Sequence, residues 1–143
     1  MWNDLLKSFN LLEFSNSTIL EIWKILVAVL YIGNLEFDDD NLNDHDPCDI
    51  VNDDVLKIIS TLIELPEKDL HDVLVFHKKV LAGETFNVPM TETECIENGR
   101  TLAKALYENL FLWIVSELNK KVNEISKPEK SIRVMKLLDI YGF

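Results

Sequence analysis

The chain has 143 residues, enough for one domain of ordinary size, and its 48% hydrophobic content excludes disorder along the whole length. Fourteen Lys and Arg against 25 Asp and Glu give a formal net charge of −11, which disfavours nucleic acids and anionic membrane surfaces as partners because the mean field repels both. The two cysteines make no disulfide framework, which indicates a reducing, intracellular compartment.

The N-terminal part of the sequence predicts one long apolar helix. Residues 1–7 lack the basic lead and apolar core of a signal peptide. Ser15 is a plausible helix cap, and Gly33 with Asn34 supplies a matching stop. The most apolar window, residues 19–32, is shorter than the roughly 20 residues that span a bilayer. We therefore expect no membrane span here, but a helix buried on most sides, with Trp23 in the core.

An acidic segment follows a short predicted strand at residues 35–37. Residues 38–46 are mostly Asp and Asn, which is typical of a surface loop. A calcium loop is disfavoured because the segment has no central Gly and no Glu at the twelfth position. His45 and Cys48 have zinc-like spacing, but a second pair of ligands is missing.

Two amphipathic helices are predicted next, at residues 54–64 and from Pro66 to about residue 75. Alternating polarity around Gly83 then predicts a hairpin or an extended loop. His77, Lys78 and Lys79 form the one compact basic cluster of an acidic sequence. Without further information, this cluster is best interpreted as the solvated end of a helix.

The longest predicted helix begins at a capping box of Thr91 and Glu94 and runs to about residue 122. At 1.5 Å per residue it is about 48 Å long, more than a compact domain of this size accommodates. Trp113 lies among its apolar residues and is expected in the core.

The C-terminal segment predicts an unpaired apolar strand at residues 132–138, which suggests a chain cut from a larger sheet. Asp139 follows it, and Gly142 completes a D-x-x-G pattern. A carboxylate at the end of a buried strand can orient a Mg²⁺ shell, and the Gly N–H can reach a phosphate. A plain strand and turn explains the pattern equally well. No phosphate-binding loop of the G-x-x-x-x-G-K-[ST] type and no nucleophile elbow occur, so an isolated hydrolase is not supported.

Together, three segments resemble the myosin motor domain. Residues 22–37 (IWKILVAVLYIGNLEF) are similar to the family's "I…LAAVLHLGNIEF", residues 101–115 (TLAKALYENLFLWIV) to "DALAKALYxRLFxWLV", and residues 138–143 (LDIYGF) to "LDIxGF" of switch II. The resemblance implies a mainly α fold within the nucleotide-binding motor architecture. It also implies that residues 1–143 are a partial motor domain, incomplete at both ends, whose last strand belongs to the central sheet.

The resemblance implies a nucleotide site at the C-terminal end. Asp139, Ile140, Gly142 and Phe143 would form part of switch II. Asp139 would hold Mg²⁺ through water, and Gly142 would offer its N–H to the γ-phosphate. ATP and Mg²⁺ are therefore expected cofactors of the intact motor. None is expected for this segment alone, and whether it has any enzymatic activity stays open, because the phosphate-binding loop and switch I of the family lie upstream of Met1.

The resemblance also implies an actin contact. Residues 77–89 would be a surface loop that touches the filament, with Lys79 at its principal basic position beside His77 and Lys78. Thr85 lies sixteen residues before Thr101 and so occupies the position where myosins carry an acidic or phosphorylatable residue. Thr101 itself replaces the family's usual acidic residue.

The sequence thus predicts a segment of an actin-based, ATP-driven motor of the cytoplasmic cytoskeleton. Its partners would be the actin filament and the remainder of the motor domain, with no nucleic acid. The alternative is a small acidic helical adaptor, or a truncated product, that binds a protein partner without nucleotide chemistry.

Overall fold

The computed structural model describes residues 2–39, 48–81 and 83–125. Within these ranges the chain forms five α-helices and two two-stranded antiparallel sheets, so the prediction of a mainly α fold is confirmed. The helices are α1 (Trp2–Leu11), α2 (Asn16–Ile32), α3 (Asp53–Ile63), α4 (Glu67–Val75) and α5 (Glu92–Ile125). The strands are β1 (Phe37–Asp38), β2 (Asp49–Ile50), β3 (Phe76–Leu81) and β4 (Glu84–Pro89).

Two helices begin where the capping signals predict. The Ser15 hydroxyl oxygen accepts a hydrogen bond of 3.1 Å from the Thr18 N–H at the start of α2. At the start of α5, the Thr91 N–H donates to the Glu94 carboxylate at 2.9 Å, and the Glu94 N–H returns a bond of 3.4 Å to the Thr91 hydroxyl. These bonds satisfy N–H groups that a helix leaves unpaired at its first turn.

The core lies where α2, α3, α4 and the first turns of α5 meet. The Asn98 side-chain amide on α5 donates to the carbonyls of Val73 at 2.7 Å and Leu74 at 3.3 Å, which ties α5 to the last turn of α4. The buried residues of this cluster come from helices, strands and connections alike: Ala28, Ile32, Cys48, Ile50, Leu56, Ile59, Leu70, Leu74, Val75, Met90 and Cys95.

Side chains hold the small β1–β2 sheet against the helices. The Asn52 amide accepts from the Glu36 N–H at 3.1 Å and donates to the Asn34 carbonyl at 2.8 Å. The Asp39 carboxylate accepts from the Glu92 N–H at 3.0 Å, at the positive end of the α5 dipole. The predicted acidic loop therefore begins later than expected, because Asp38 belongs to β1; residues 40–47 lie outside the described residues.

One helix was not predicted, and two expectations about helices are wrong. The sequence analysis did not predict α1, which buries none of its residues and packs its Trp2 ring 5.2 Å from that of Trp23. Helix α2 is not buried on most sides, since Leu20 and Leu30 are 55% and 70% exposed. Trp113 is 42% exposed rather than in the core, because it lines an apolar groove between α2 and α5 that is open to solvent.

Helix α5 is the longest described element, with 34 residues and a length of about 51 Å. Together with α2 it borders an apolar groove of about 310 Å³ lined by Glu21, Ile22, Ile25, Leu106, Asn109, Leu110 and Trp113. The large hydrophobic side chains exposed on α5, from its middle to its C-terminal part, are Tyr107, Phe111, Leu112, Trp113, Val115 and Val122. The strand predicted at residues 132–138 lies outside the described residues.

Candidate functional site

Strands β3 and β4 form a hairpin between α4 and α5. The register pairs Phe76 with Pro89 at the base and Leu81 with Glu84 at the tip. The turn includes Gly83, whose φ of 87° lies in the left-handed region that glycine adopts without strain. Of the two possibilities predicted around Gly83, a hairpin or an extended loop, the structure has the hairpin.

The hairpin has a buried base and an exposed tip. At the base, Val75 and Met90 are buried and joined by a 3.0 Å hydrogen bond from the Met90 N–H to the Val75 carbonyl. At the tip, Val80 and Leu81 are 72% and 71% exposed, and Phe86 is 45% exposed. A fixed base with an apolar tip in solvent is a geometry suited to protein contact.

The basic residues divide between the two faces of the hairpin. Successive side chains on a strand point to opposite faces, so His77 and Lys79 share one face and Lys78 lies on the other. Cross-strand partners point the same way: Lys79 pairs with Phe86, and Lys78 pairs with Asn87. All three basic side chains are exposed, and among the described residues neither lysine forms an ion pair.

The Glu94 carboxylate lies near the face of the hairpin that carries His77 and Lys79. The His77 Nε2 atom lies 4.0 Å from the Glu94 Oε1 atom. The hydrogen bonds from the Thr91 N–H and hydroxyl lower the pKa of Glu94, and the nearby His77 and Lys79 charges lower it further. Glu94 therefore partly offsets the positive charge of the His77 and Lys79 face, while Lys78 projects on the opposite face.

Comparison with known proteins identifies the family of this chain. The family model described as the myosin head (motor domain) matches residues 1–143. The chain belongs to the myosin motor-domain family. The resemblance on which the sequence analysis relied is thereby confirmed.

Individual relatives come from several organisms. The chain is 35% identical to the myosin IC heavy chain of Dictyostelium discoideum, with 86% of this chain and 10% of that protein aligned. It is 33% identical to unconventional myosin-IXa of Rattus norvegicus, over 95% of this chain and 5% of that protein. It is 31% identical to unconventional myosin-Ic of Aquarana catesbeiana, over 99% of this chain and 14% of that protein. The chain thus spans at most about a seventh of these relatives.

In this myosin segment, the helix-end interpretation of the basic cluster is wrong. Helix α4 ends at Val75, and His77, Lys78 and Lys79 lie in β3. The chain leaves the helix at Phe76, whose φ of −126° and ψ of 137° are those of a strand.

Thr85 lies on the outer part of β4, directly opposite Val80. It is exposed, and it shares the face of Lys78 rather than that of Lys79. Its diagonal neighbour across the strands is therefore Lys78, within the reach of a long side chain.

The predicted switch II residues Asp139, Ile140, Gly142 and Phe143 lie outside the described residues. Within residues 2–39, 48–81 and 83–125, no group of three or more His, Cys, Asp or Glu side chains is placed to hold a metal ion. In the same ranges no helix is both long enough and apolar enough to cross a membrane.

Sequence reasoning missed two features near the hairpin. Asp39 caps α5 from 53 residues away, and Glu94 serves both the capping box and the His77 face. The Thr91–Glu94 spacing signals the box, but no local pattern signals contacts between distant residues.

Proposed function

We propose that this segment belongs to an actin-based, ATP-driven motor and that its β3–β4 hairpin contacts the actin filament. The observation that carries the proposal is the hairpin itself, which projects Lys78 and Lys79 into solvent from a chain of net charge −11. Membership of the myosin motor-domain family supports the same conclusion.

The contact would be electrostatic at the strands and apolar at the tip. An acidic motor that approaches an acidic filament needs local positive charge at the point of contact. His77, Lys78 and Lys79 supply that charge, and the exposed Val80 and Leu81 add apolar area that water would leave on binding.

The nucleotide would bind at the other end of the segment. Asp139 would orient the Mg²⁺ shell through water, and the Gly142 N–H would donate to the γ-phosphate of ATP, with Ile140 and Phe143 completing switch II. Loss of the γ-phosphate would release Gly142 and let the strand and helix connected to it rearrange. The nucleotide site is complete only with the phosphate-binding loop and switch I of the intact motor, so we expect this segment alone not to bind ATP.

The hairpin would also carry a regulatory site at Thr85. Phosphorylation adds about −1.5 to −2 charges and three acceptor oxygens. Because Thr85 and Lys78 share a face, the phosphate would pair first with Lys78 and leave Lys79 available to the filament.

The remainder of the motor domain would cover the exposed face of α5. That face and the groove between α2 and α5 expose more contiguous apolar area than the surface of a complete soluble domain usually does. We place the motor in the cytoplasm on the actin cytoskeleton, with no nucleic-acid partner. The same groove also suits the alternative, an adaptor that binds a partner helix without nucleotide chemistry.

The actin-activated Mg·ATPase rate of the full-length protein tests the proposal. Asp139→Ala should abolish most of the turnover, because the Mg²⁺ shell loses its orienting carboxylate. Glu67→Ala, which removes an exposed carboxylate from α4, is the matched control and should leave the rate unchanged. Unchanged turnover in Asp139→Ala would remove Asp139 from the site, and absence of any actin-activated turnover in the wild type would favour the adaptor.

A further inference from the structure

The two cysteines of the chain meet in its core. They are 47 positions apart in sequence, yet Cys48 is 1% exposed and Cys95 is not exposed at all. Both belong to the same buried cluster, and each thiol influences the pKa of the other. Neither belongs to the hairpin surface or to switch II, so the proposed motor function leaves both thiols unused.

One backbone oxygen lies against both cysteines. The Cys48 N–H donates to the Met90 carbonyl at 3.4 Å, and the Cys95 Sγ atom lies 3.9 Å from the same oxygen. The Cys48 Sγ atom also donates to the Asp38 carbonyl at 3.6 Å. These contacts hold Cys48, next to β2, and Cys95, in the first turn of α5, around one carbonyl oxygen.

We propose that Cys48 and Cys95 are a redox-active dithiol that closes to an intramolecular disulfide under peroxide. The disulfide would join the segment before β2 to α5, directly below the base of the β3–β4 hairpin. Because both cysteines already lie against the Met90 carbonyl, a local movement that brings the sulfur atoms to bonding distance is enough for the bond to form.

The reaction balances with hydrogen peroxide as the oxidant. The Cys48 thiolate attacks one peroxide oxygen, the O–O bond breaks, and a sulfenic acid and one water form once the released hydroxide takes a proton. The Cys95 sulfur then attacks the Cys48 sulfur, the S–O bond breaks, and a second water leaves. Two thiols and one peroxide become one disulfide and two waters, and the two electrons pass from sulfur to oxygen.

Burial decides when this reaction can occur. It raises the pKa of Cys95 to about 12 and also raises the pKa of Cys48, so both thiols are protonated in the closed protein. The thiolate is the reactive form, and oxidation therefore follows local opening. Cys48 is the side that opens more easily, because the β1–β2 ladder next to it has only the pairs Phe37 with Ile50 and Asp38 with Asp49.

The disulfide would restrain the hairpin. Met90 connects β4 to α5, its N–H binds Val75, and its carbonyl binds Cys48. A covalent bond between Cys48 and Cys95 would enclose this connection and limit movement of the hairpin base relative to α5. The inference does not require that the hairpin bind actin, so its failure and that of the motor proposal are distinguishable.

Peptide mapping of the full-length protein tests the site. The reduced protein is exposed to hydrogen peroxide, its remaining thiols are alkylated, and trypsin releases Cys48 in residues 25–57 and Cys95 in residues 80–100. We expect these peptides linked to each other at about 2 Da below their summed mass, with the link reversed by a dithiol reductant. Cys48→Ser should form no link and leave Cys95 available to the alkylating reagent.

Two results would overturn the proposal. Wild-type peptides that remain fully alkylated after peroxide treatment would show that the pair does not oxidise, and a Cys48 sulfinic acid without the link would show that Cys95 does not resolve the sulfenic acid. A second measurement is independent of the variants: the oxidised wild type should unfold at a higher temperature than the reduced form. A lower unfolding temperature would show that the bond strains the core instead of bracing it.

Discussion

Removing positive charge from the hairpin should weaken actin binding. The size of the effect follows from the solvent exposure of the two lysines. Lys78→Ala with Lys79→Ala deletes two charges that lie in solvent on opposite faces of β3. Exposed ion pairs contribute about 0.2–1 kcal/mol each. Two such pairs give about 0.4–2 kcal/mol, which corresponds to a roughly 2- to 30-fold increase in Kd at about 1.4 kcal/mol per tenfold.

Cosedimentation of the full-length protein with actin filaments over a salt series measures this effect. The double variant should bind more weakly at low salt and depend less on salt, because exposed charges are screened beyond about 8 Å at physiological ionic strength. The two single variants should differ in how much actin affinity they lose, because the Glu94 carboxylate partly offsets the charge of Lys79 but not that of Lys78 on the opposite face. Lys57→Ala on α3 is the control and should match the wild type. A wild-type salt slope in the double variant would refute the reasoning.

Three further predictions follow from the core, the cap and the hairpin. Ile59→Ala should lower the free energy of unfolding by about 3 kcal/mol in urea titration, and Ile58→Ala, at a 37% exposed neighbour, by clearly less; equal losses would contradict the burial. Because Thr91 lowers the pKa of Glu94 below 4.5, Glu94→Gln should lower the unfolding temperature at pH 7, and the difference should fade as the pH drops through the lowered pKa. A pH-independent difference would contradict this. Actin-activated ATPase of the full motor should be low for Thr85→Ala and high for Thr85→Glu or the kinase-treated protein, and equal rates in all three would exclude regulation at Thr85.

Local signals in the sequence were sufficient to predict most helix boundaries. The Ser15 cap and the Thr91–Glu94 box each rest on residues three positions apart, so the bonds that form are fixed by the helix geometry itself. The alternation around Gly83 likewise indicated a hairpin or an extended loop, since a left-handed turn residue between two strands is a short-range feature.

Local signals of this kind do not predict contacts between residues that are far apart in the sequence. Helix α1 is different, because a local signal for it was present: Trp2, Leu5, Leu6 and Phe9 recur at helical spacing, but the N-terminal residues were considered only as a possible signal peptide. The proximity of Cys48 and Cys95 depends on how α5 packs against the β1–β2 sheet, which no local pattern encodes. Trp113 was expected in the core because hydrophobicity alone does not show whether a covering element is present.

The division of the basic cluster between two faces also required the structure. The sequence places His77, Lys78 and Lys79 together, but whether they act as one patch depends on whether the backbone is helical or extended. In β3 the side chains alternate between the two faces of the hairpin. Lys78 therefore shares one face with Thr85, while Lys79 shares the other face with His77, near Glu94. The site residues beyond the hairpin, from Asp139 to Phe143, stay predictions.

Sedimentation of the full-length protein with actin filaments, with and without Mg·ATP, tests the central claim most directly. A motor that couples the hairpin to the nucleotide site should pellet with actin in the absence of nucleotide and return to the supernatant when Mg·ATP is added, since a ligand shifts a two-state equilibrium by its differential affinity for the two states. Asp139→Ala should bind actin and lose much of this release. Pelleting that is unaffected by Mg·ATP in the wild type, or no pelleting at all, would contradict the account.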